Sequence, residues 1–313
     1  MERHRLEKLV DYCRPAQSGL KAILTGELLR QRGQERVLSR DGFLYSPGSH
    51  PVLLVAHLDT VHQKTPTAFY IDTTKSPDGD LWCKEGIGGD DRCGVFMIME
   101  LIKELDCHVL FTEDEETGGR GAIQFSNSDI KPDVQFIVEF DRQGNSDAVF
   151  YDCDNPEFTA FVEKYGFNRR EGTFSDISYI APALGIGAVN LSSGYYHAHS
   201  QQEIIRIADV ESIIERASRL LSNVGTKYEY MEREYLDWEW ETELCLDDWL
   251  YGNRNSDVQC PRCGAILGDT TFLDYCPCCY TELVVQCNSC GYRVNFSDCV
   301  LIRGFMYCVY CLE

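Results

Sequence analysis

The alternation of short apolar segments and longer amphipathic segments between residues 36 and 224 most constrains the fold of this chain. Runs such as PVLLVA at 51–56 and VQFIVEF at 134–140 have the length and composition of buried strands. Runs with helical spacing lie between them, for example CGVFMIMELIKEL at 93–105. Strands that alternate with helices predict an α/β fold in which a mixed sheet is covered by helices on both faces.

Charge and cysteine content narrow the class of protein. The chain has 313 residues and a formal net charge of −21, and broad binding to nucleic acid needs the opposite charge. It contains no apolar run long enough to span a membrane, and its first residues do not resemble a signal peptide. Most of the 16 cysteines lie in CxxC pairs near the C-terminus, which is typical of metal thiolates. We therefore expect a cytoplasmic protein that contacts neither membranes nor nucleic acid.

Side chains that can bind metal ions follow the predicted strands at five successive strand-to-loop junctions. In the first, HLD, residues two apart on a strand point the same way, so Asp59 can accept a hydrogen bond from the His57 ring. Histidines and carboxylates in this number match the needs of two zinc ions that share one bridging carboxylate. The alternative is an acidic chain whose strand ends are acidic by coincidence. The other four junctions carry GGDD at 88–91, EDEE at 113–116, EFD at 139–141 and YYHAH at 195–199.

The order of these motifs resembles that of the co-catalytic di-zinc exopeptidase clan. This clan includes leucyl and glutamyl aminopeptidases, tripeptidase T-like enzymes and acyl-amino-acid deacylases. The resemblance covers roughly residues 50–224, and GGDDRCGV and DEETGGRGA are most similar to the glutamyl-aminopeptidase branch. It implies a zinc aminopeptidase-like fold and a hydrolase that cleaves a peptide or amide bond near a free terminus. The stretches between the motifs are too short for the lid domain that many members insert.

The resemblance also implies roles for individual residues. Asp90 would bridge both zinc ions, and Glu115 would be the general base on a metal-bridging water. Asp59 would support catalysis through His57. The zinc ligands would be completed by His57 and Asp141 in one site and by Glu116 and His199 in the other.

Two of these ligands have competitors nearby. His199 is preferred to His197 because Glu203 follows it by four residues, as in the family pattern. His197 would then line the substrate pocket or face solvent. Asp141 is preferred to Glu139, which shares its strand face, because Asp141 lies nearer the loop.

Other polar residues are weaker candidates. Asp176 either contacts the substrate or caps a helix, and Tyr196 or its neighbour Tyr195 could contact the substrate. His62 and His108 carry no predicted role. The alternatives to a peptidase are a deacylase or dipeptidase with the same metals, and a non-catalytic adaptor that binds a protein partner through its C-terminal cysteines.

The C-terminal cysteines predict a second kind of metal site. Their CxxC spacing favours two four-cysteine zinc ribbons that pair sequentially, and interleaved pairing is the alternative. Few basic residues accompany them, so a protein partner is favoured over nucleic acid. The whole chain would then hold two catalytic and two structural zinc ions. The predicted structural ligands are Cys260, Cys263, Cys276, Cys279, Cys287, Cys290, Cys308 and Cys311.

An acidic segment precedes these cysteines and contains Trp238, Trp240 and Trp249. Acidic runs are usually solvated linkers, whereas interleaved tryptophans favour docking onto a neighbouring domain or partner. The predicted organisation is a catalytic domain at 1–227, an acidic aromatic linker at 228–257 and tandem zinc ribbons at 258–313.

Overall fold

The structure is a computed structural model that describes residues 1–74, residues 78–233 and four short strands between 284 and 308. The three linker tryptophans and seven of the eight predicted ribbon cysteines lie outside the described residues. The eighth, Cys308, lies in a strand whose backbone is described. Within the described residues, no helix has the length and apolar character needed to cross a membrane.

A mixed sheet of eight strands lies between residues 38 and 192. The strand order is β1-β2-β6-β3-β7-β10-β8-β9, and the four central strands β6, β3, β7 and β10 run parallel. The strands are β1 Leu38–Arg40, β2 Phe43–Ser46, β3 His50–His57, β6 Cys107–Thr112, β7 Phe136–Arg142, β8 Asp147–Val149, β9 Asn168–Arg170 and β10 Ala188–Ser192.

Helices cover both faces of this sheet, which confirms the predicted fold class. One apolar cluster joins residues of the sheet to α1, α2, α3, α5 and α7, and the other joins the opposite face to α4 and α6. Burial of these two faces is the main stabilising contribution that the sequence pattern predicts. The helices are α1 Arg3–Cys13, α2 Gln17–Arg32, α3 Gly89–Leu101, α4 Arg120–Ser126, α5 Pro156–Glu163, α6 Ile177–Leu184 and α7 Ile207–Leu221.

A second, antiparallel sheet of four strands has the order β11-β12-β5-β4. Strands β4 and β5 lie in the stretch of chain between His57 and Asp90, and strands β11 and β12 lie on either side of His199. They are short, and no separate domain is inserted there. The strands are β4 Tyr70–Asp72, β5 Asp80–Trp82, β11 Tyr195–Tyr196 and β12 Ile204–Arg206.

The first compact unit of the chain comprises Met1–Arg170 and Phe174–Arg233. It therefore continues beyond residue 227, where the sequence predicted a boundary. The backbone of Tyr228 hydrogen-bonds to Gln135 and Gly187, and its ring centroid lies 4.8 Å from that of Phe158. Tyr228 thus packs into the core of this unit rather than starting a linker.

The described C-terminal strands form two antiparallel pairs that belong to a second unit. The first pair encloses the CNSC sequence at 287–290, and in the second Cys299 lies opposite Cys308 in the register. The pairs are β13 Val284–Gln286 with β14 Arg293–Asn295, and β15 Cys299–Ile302 with β16 Phe305–Cys308.

Candidate metal centre

The predicted ligands meet at the carboxyl end of the parallel strands. His57 is the last residue of β3, and Asp141 lies near the end of the neighbouring strand β7. Glu116 lies in the loop that follows β6, and Asp90 lies in the first turn of α3. His199 comes from the loop between β11 and β12. Carboxyl ends of parallel strands are where α/β sheets place their ligand sites.

The first half of the centre is built around His57. Its Nε2 atom lies 3.0 Å from Asp90 Oδ1 and 3.4 Å from Asp141 Oδ1. The His57 side chain is fully buried, with 0% exposure. These three side chains therefore converge in a region where only small parts of Asp90 and Asp141 are exposed.

The second half is built around His199. Its Nε2 atom lies 3.3 Å from Asp90 Oδ2 and 3.1 Å from Glu116 Oε2, while 58% of its side chain is exposed. The two oxygens of Asp90 thus face different histidines. This is the arrangement expected of a carboxylate that bridges two metal ions. The Oε1 atom of Glu116 is buried and has no hydrogen-bond partner within the described residues, so it too is available to an ion.

Asp59 supports both halves, and the hydrogen bond predicted between it and His57 is present. Its Oδ1 lies 3.2 Å from His57 Nδ1. The same carboxylate accepts hydrogen bonds from the backbone N–H groups of Glu115 at 3.1 Å and Glu116 at 3.0 Å. Asp59 therefore fixes the imidazole of one half and the loop that supplies the carboxylates of the other.

Asp91 lies closer to the ligands than the resemblance required. The Asp90–Asp91 peptide bond is cis, and the buried Asp91 carboxylate accepts hydrogen bonds from the N–H groups of His57 and Gly94. Its oxygen also lies within 4.8 Å of ligand atoms of His57 and Asp141. The structure therefore offers a further carboxylate to the first half.

Both histidines attract protons because carboxylates surround them. Burial opposes a charge on His57, but the Asp141 carboxylate and hydrogen bonds to Asp59 and Asp90 raise the pKa of His57 well above its ordinary value. Hydrogen bonds to Asp90 and Glu116 raise the pKa of His199 to about 11. Without a metal ion, protonated rings would balance the charge of these carboxylates. A divalent cation would displace those protons, because a ligating imidazole must be neutral.

Two carboxylates of the centre, Asp141 and Glu115, also have raised pKa values. Burial and the nearby Asp90 carboxylate raise the pKa of Asp141 to about 7, although His57 opposes this. Burial raises the pKa of Glu115 to about 9, and the carboxylates of Asp141 and Asp176 add to this against the effect of His57. Bound cations would lower both values. The donor set, with two imidazoles and at least three carboxylates, fits a pair of zinc ions.

A buried contact that sequence reasoning missed positions the bridging residue. The Glu203 carboxylate accepts hydrogen bonds from the N–H groups of Gly88 and Asp90, each at 2.9 Å. His62 Nε2 lies 2.7 Å from the same carboxylate. His62, which carried no predicted role, therefore belongs to the support of the centre. A histidine 141 positions from its partner has no local signal that could have indicated this contact.

Only one oxygen of the competing ligand Glu139 has a partner, because its Oε1 atom is buried without one in the described residues. Its buried carboxylate accepts a hydrogen bond from the Ser175 hydroxyl. Asp176 is fully buried at the start of α6, but its side chain accepts from Thr112 and makes no capping hydrogen bond. His197 is exposed in the loop that carries His199.

The two candidate tyrosines point in different directions. The Tyr196 hydroxyl donates to Asp209 on α7, whereas the buried Tyr195 hydroxyl lies 3.4 Å from Asp141 Oδ1. The structure thus brings Tyr195, rather than Tyr196, to the metal ligands.

Comparison with solved structures confirms the fold. The chain is similar to aminopeptidase PepT from Bacillus cereus, at 14% identity and a TM-score of 0.54, over 69% of this chain and 97% of that one. A tripeptidase from Staphylococcus aureus matches at 13% identity and 0.56, over 69% and 96% of the two chains. A TET aminopeptidase from a thaumarchaeon of marine sediment matches at 15% and 0.52, over 71% and 97%. No family profile and no curated protein sequence matches the chain. The chain thus has the fold of zinc aminopeptidases.

Proposed function

We propose that the protein is a two-zinc hydrolase that cleaves a peptide or amide bond near a free terminus of its substrate. The observation that carries this proposal is the position of Asp90. Its two oxygens lie 3.0 Å and 3.3 Å from the Nε2 atoms of two different histidines. Each histidine has a second carboxylate beside it, as a pair of metal sites with one shared ligand requires.

In this proposal, the residues of the two halves hold one ion each. His57 and Asp141 would hold the first ion, Glu116 and His199 would hold the second, and Asp90 would serve both. When bound, the ions supply Lewis-acid stabilisation of developing negative charge and make water a stronger acid. Asp59 keeps Nε2 of His57 free for coordination, because Nδ1 of that ring donates to it.

Glu115 is the proposed general base. It directly precedes the ligand Glu116, and adjacent side chains do not readily turn toward the same ion. The oxygen of a water molecule attacks the carbonyl carbon of the scissile bond, and Glu115 takes the proton that this water loses. The same proton passes to the departing amine as the carbon–nitrogen bond breaks, which returns Glu115 to its carboxylate form.

The proposed substrate is a peptide or an acylated amino acid. The fold shared with an aminopeptidase and a tripeptidase favours an exopeptidase over a deacylase. For the C-terminal segment, we propose two four-cysteine zinc ribbons that bind a protein partner. The strand pair around the CNSC sequence supports this, since zinc knuckles commonly place a CxxC pair in a tight turn.

Zinc content and substrate screening test the proposal together. We expect about four zinc ions per full-length chain, two at the centre and two in the ribbons. We also expect hydrolysis of at least one member of aminoacyl, dipeptide, tripeptide and acyl-amino-acid libraries. A chain with about two zinc ions and no hydrolysis would instead support the adaptor.

A further inference from the structure

A cavity of about 500 Å³ lies directly beside the metal centre. Asp59 and Glu116 form part of one wall, and residues 15–17 at the start of α2 form part of another. Arg92, two residues after the bridging Asp90, lines it as well. The proposed reaction makes no use of this space or of Arg92.

Arg92 is a buried charge with unused hydrogen-bond donors. Its side chain is 1% exposed, and its Nη2 atom donates to the Pro15 carbonyl at 3.2 Å. Its Nε and Nη1 atoms have no acceptor anywhere in the described part of the chain. Buried guanidinium groups are nearly always paired, because an unpaired charge loses its hydration without compensation. An acceptor that is not part of this unit would therefore satisfy Arg92.

The start of α2 faces the same cavity with unpaired backbone donors. The N-cap residue Ala16 has no capping side chain, and the first turn carries no acidic residue. The first N–H groups of this 16-residue helix therefore lack intrahelical acceptors. They also lie at the positive end of the helix dipole, which favours an anion.

Every carboxylate oxygen that lines the cavity, apart from the buried Oε1 atom of Glu116, already has a partner. Asp59 accepts from His57 and two backbone N–H groups, and Glu116 pairs with His199. Asp114 accepts from the side chain of Gln17, and its other oxygen accepts from Arg120. None of these hydrogen bonds goes to Arg92, so its Nε and Nη1 atoms have no acceptor among these carboxylates, although the charges of Asp59 and Asp91 act on the guanidinium.

We propose that this cavity is a carboxylate subsite of the hydrolase. A carboxylate of the substrate enters it, accepts hydrogen bonds from Arg92 and from the N-terminal N–H groups of α2, and thereby places the scissile bond at the metal centre. The carboxylate is either an acidic side chain or the C-terminal group of a short peptide. This inference rests on the proposed function for the position of the scissile bond, but binding of the carboxylate does not require turnover.

Binding of three matched peptides to the zinc-loaded, full-length Glu115→Gln variant tests the subsite without hydrolysis. Leu-Gly-Gly offers a C-terminal carboxylate, Glu-Gly-Gly-amide offers a side-chain carboxylate, and Leu-Gly-Gly-amide offers neither. We expect calorimetry to show that one of the first two peptides binds at least about tenfold more tightly than the third. Hydrogen bonds to a charged group usually change a dissociation constant by about this factor. Equal binding of all three, or no binding, would overturn the subsite.

Variants of Arg92 and of the first residues of α2 test whether the peptide carboxylate binds in this cavity. In Arg92→Met the preference for a carboxylate should disappear. If that variant fails to fold, Ala16→Asp serves in its place, because Ala16 is exposed and aspartate is a good N-cap. Ala16→Asp should raise the melting temperature and weaken carboxylate binding, whereas the uncharged cap Ala16→Asn should weaken carboxylate binding less.

The control variant is Arg30→Met, on the exposed end of the same helix, which should leave the preference for a carboxylate unchanged. A preference that survives both Arg92→Met and Ala16→Asp would contradict the assignment.

Turnover by the wild-type chain separates the two proposals. Hydrolysis of all three peptides at similar kcat/KM would support the proposed function and overturn the subsite. Carboxylate binding that depends on Arg92, with no hydrolysis of any peptide, would support the subsite and overturn the proposed function.

Discussion

The two ends of the central sheet differ in how their charged side chains are paired. At the amino ends of β3 and β6, the Nη2 atom of Arg36 donates to both carboxylate oxygens of Asp106, at 2.7 and 2.8 Å. The neighbouring Arg32 donates to the backbone carbonyls of Ser46 and Cys107. Each of these cations has an acceptor, as a network that only stabilises a fold requires.

At the carboxyl ends, negative charge is in excess. Asp90, Asp141 and Glu116 converge with only two imidazoles between them. Like charges at such distances raise the free energy of the folded state unless a cation joins them. A protein that keeps this arrangement gives up stability at one end of its sheet, and in the proposed function a bound metal ion restores that stability. The comparison predicts that changes at the carboxyl end affect chemistry and metal content first, and changes at the amino end affect stability.

The largest expected effect is on turnover, from Glu115→Gln. Glutamine cannot take a proton from the attacking water, so kcat should fall by about 100-fold or more while both active-site metals stay bound. Steady-state kinetics and elemental analysis measure the two quantities.

The matched control for this variant is Glu113→Gln. Glu113 lies in the same loop, but its carboxylate pairs with Lys21 rather than with a site residue. We expect near-normal turnover from it. Near-normal turnover from Glu115→Gln on a confirmed substrate would show that another group is the base.

Replacing each histidine separately should distinguish the two halves of the carboxyl end. His57 is fully buried at the end of a central strand, whereas 58% of the His199 side chain is exposed in a loop. His57→Ala leaves buried carboxylates without their cation and should lower the free energy of unfolding by about 3–5 kcal/mol in the metal-free protein. His199→Ala should cost much less stability and remove one zinc ion. Chemical denaturation and zinc analysis of both variants check this, and equal losses of stability would contradict it.

Truncation tests the amino end, where Tyr228 packs against the beginning of β7 and β10. A chain ending at Arg233 keeps the backbone hydrogen bonds of Tyr228 to Gln135 and Gly187, and a chain ending at residue 227 loses them together with the buried ring. Loss of a buried aromatic side chain costs about 3–5 kcal/mol.

We therefore expect the 1–233 chain to fold, bind two zinc ions and hydrolyse a small substrate. The 1–227 chain should melt at a lower temperature or aggregate. Equal melting temperatures would place the end of the catalytic domain at 227, as the sequence predicted.

The central strands, and the convergence of the proposed ligand residues, could be predicted because each apolar run stops at a polar residue that lies at the end of a strand. Helix α6 is absent from the sequence pattern, since Pro182 interrupts it. Strands β9 and β12 are three residues long and carry no alternation to detect. The contact of His62 with Glu203, and the unused donors of Arg92, depend on chain segments that only the tertiary fold brings together. Local sequence therefore indicates which polar residues lie at the ends of strands. It does not indicate which residues from distant parts of the chain contact them.

The smallest expected effect is a pH dependence of stability at the amino end, from His108 at the start of β6. Burial, together with the charge of Arg32, lowers the pKa of His108 from its ordinary 6.5 to about 4, and its Nδ1 lies 2.7 Å from the Tyr45 hydroxyl. The native state therefore keeps this ring neutral while the unfolded chain takes up a proton as the pH falls below 6.5. Stability should decline between about pH 6.5 and 4 by roughly 1 kcal/mol from this group, since it is only partly buried. Carboxylates titrate in the same range, so the measurement is the difference between wild type and His108→Gln, with the exposed His4→Gln as control. A wild-type decline as shallow as that of His108→Gln would show that His108 accepts its proton in the folded state.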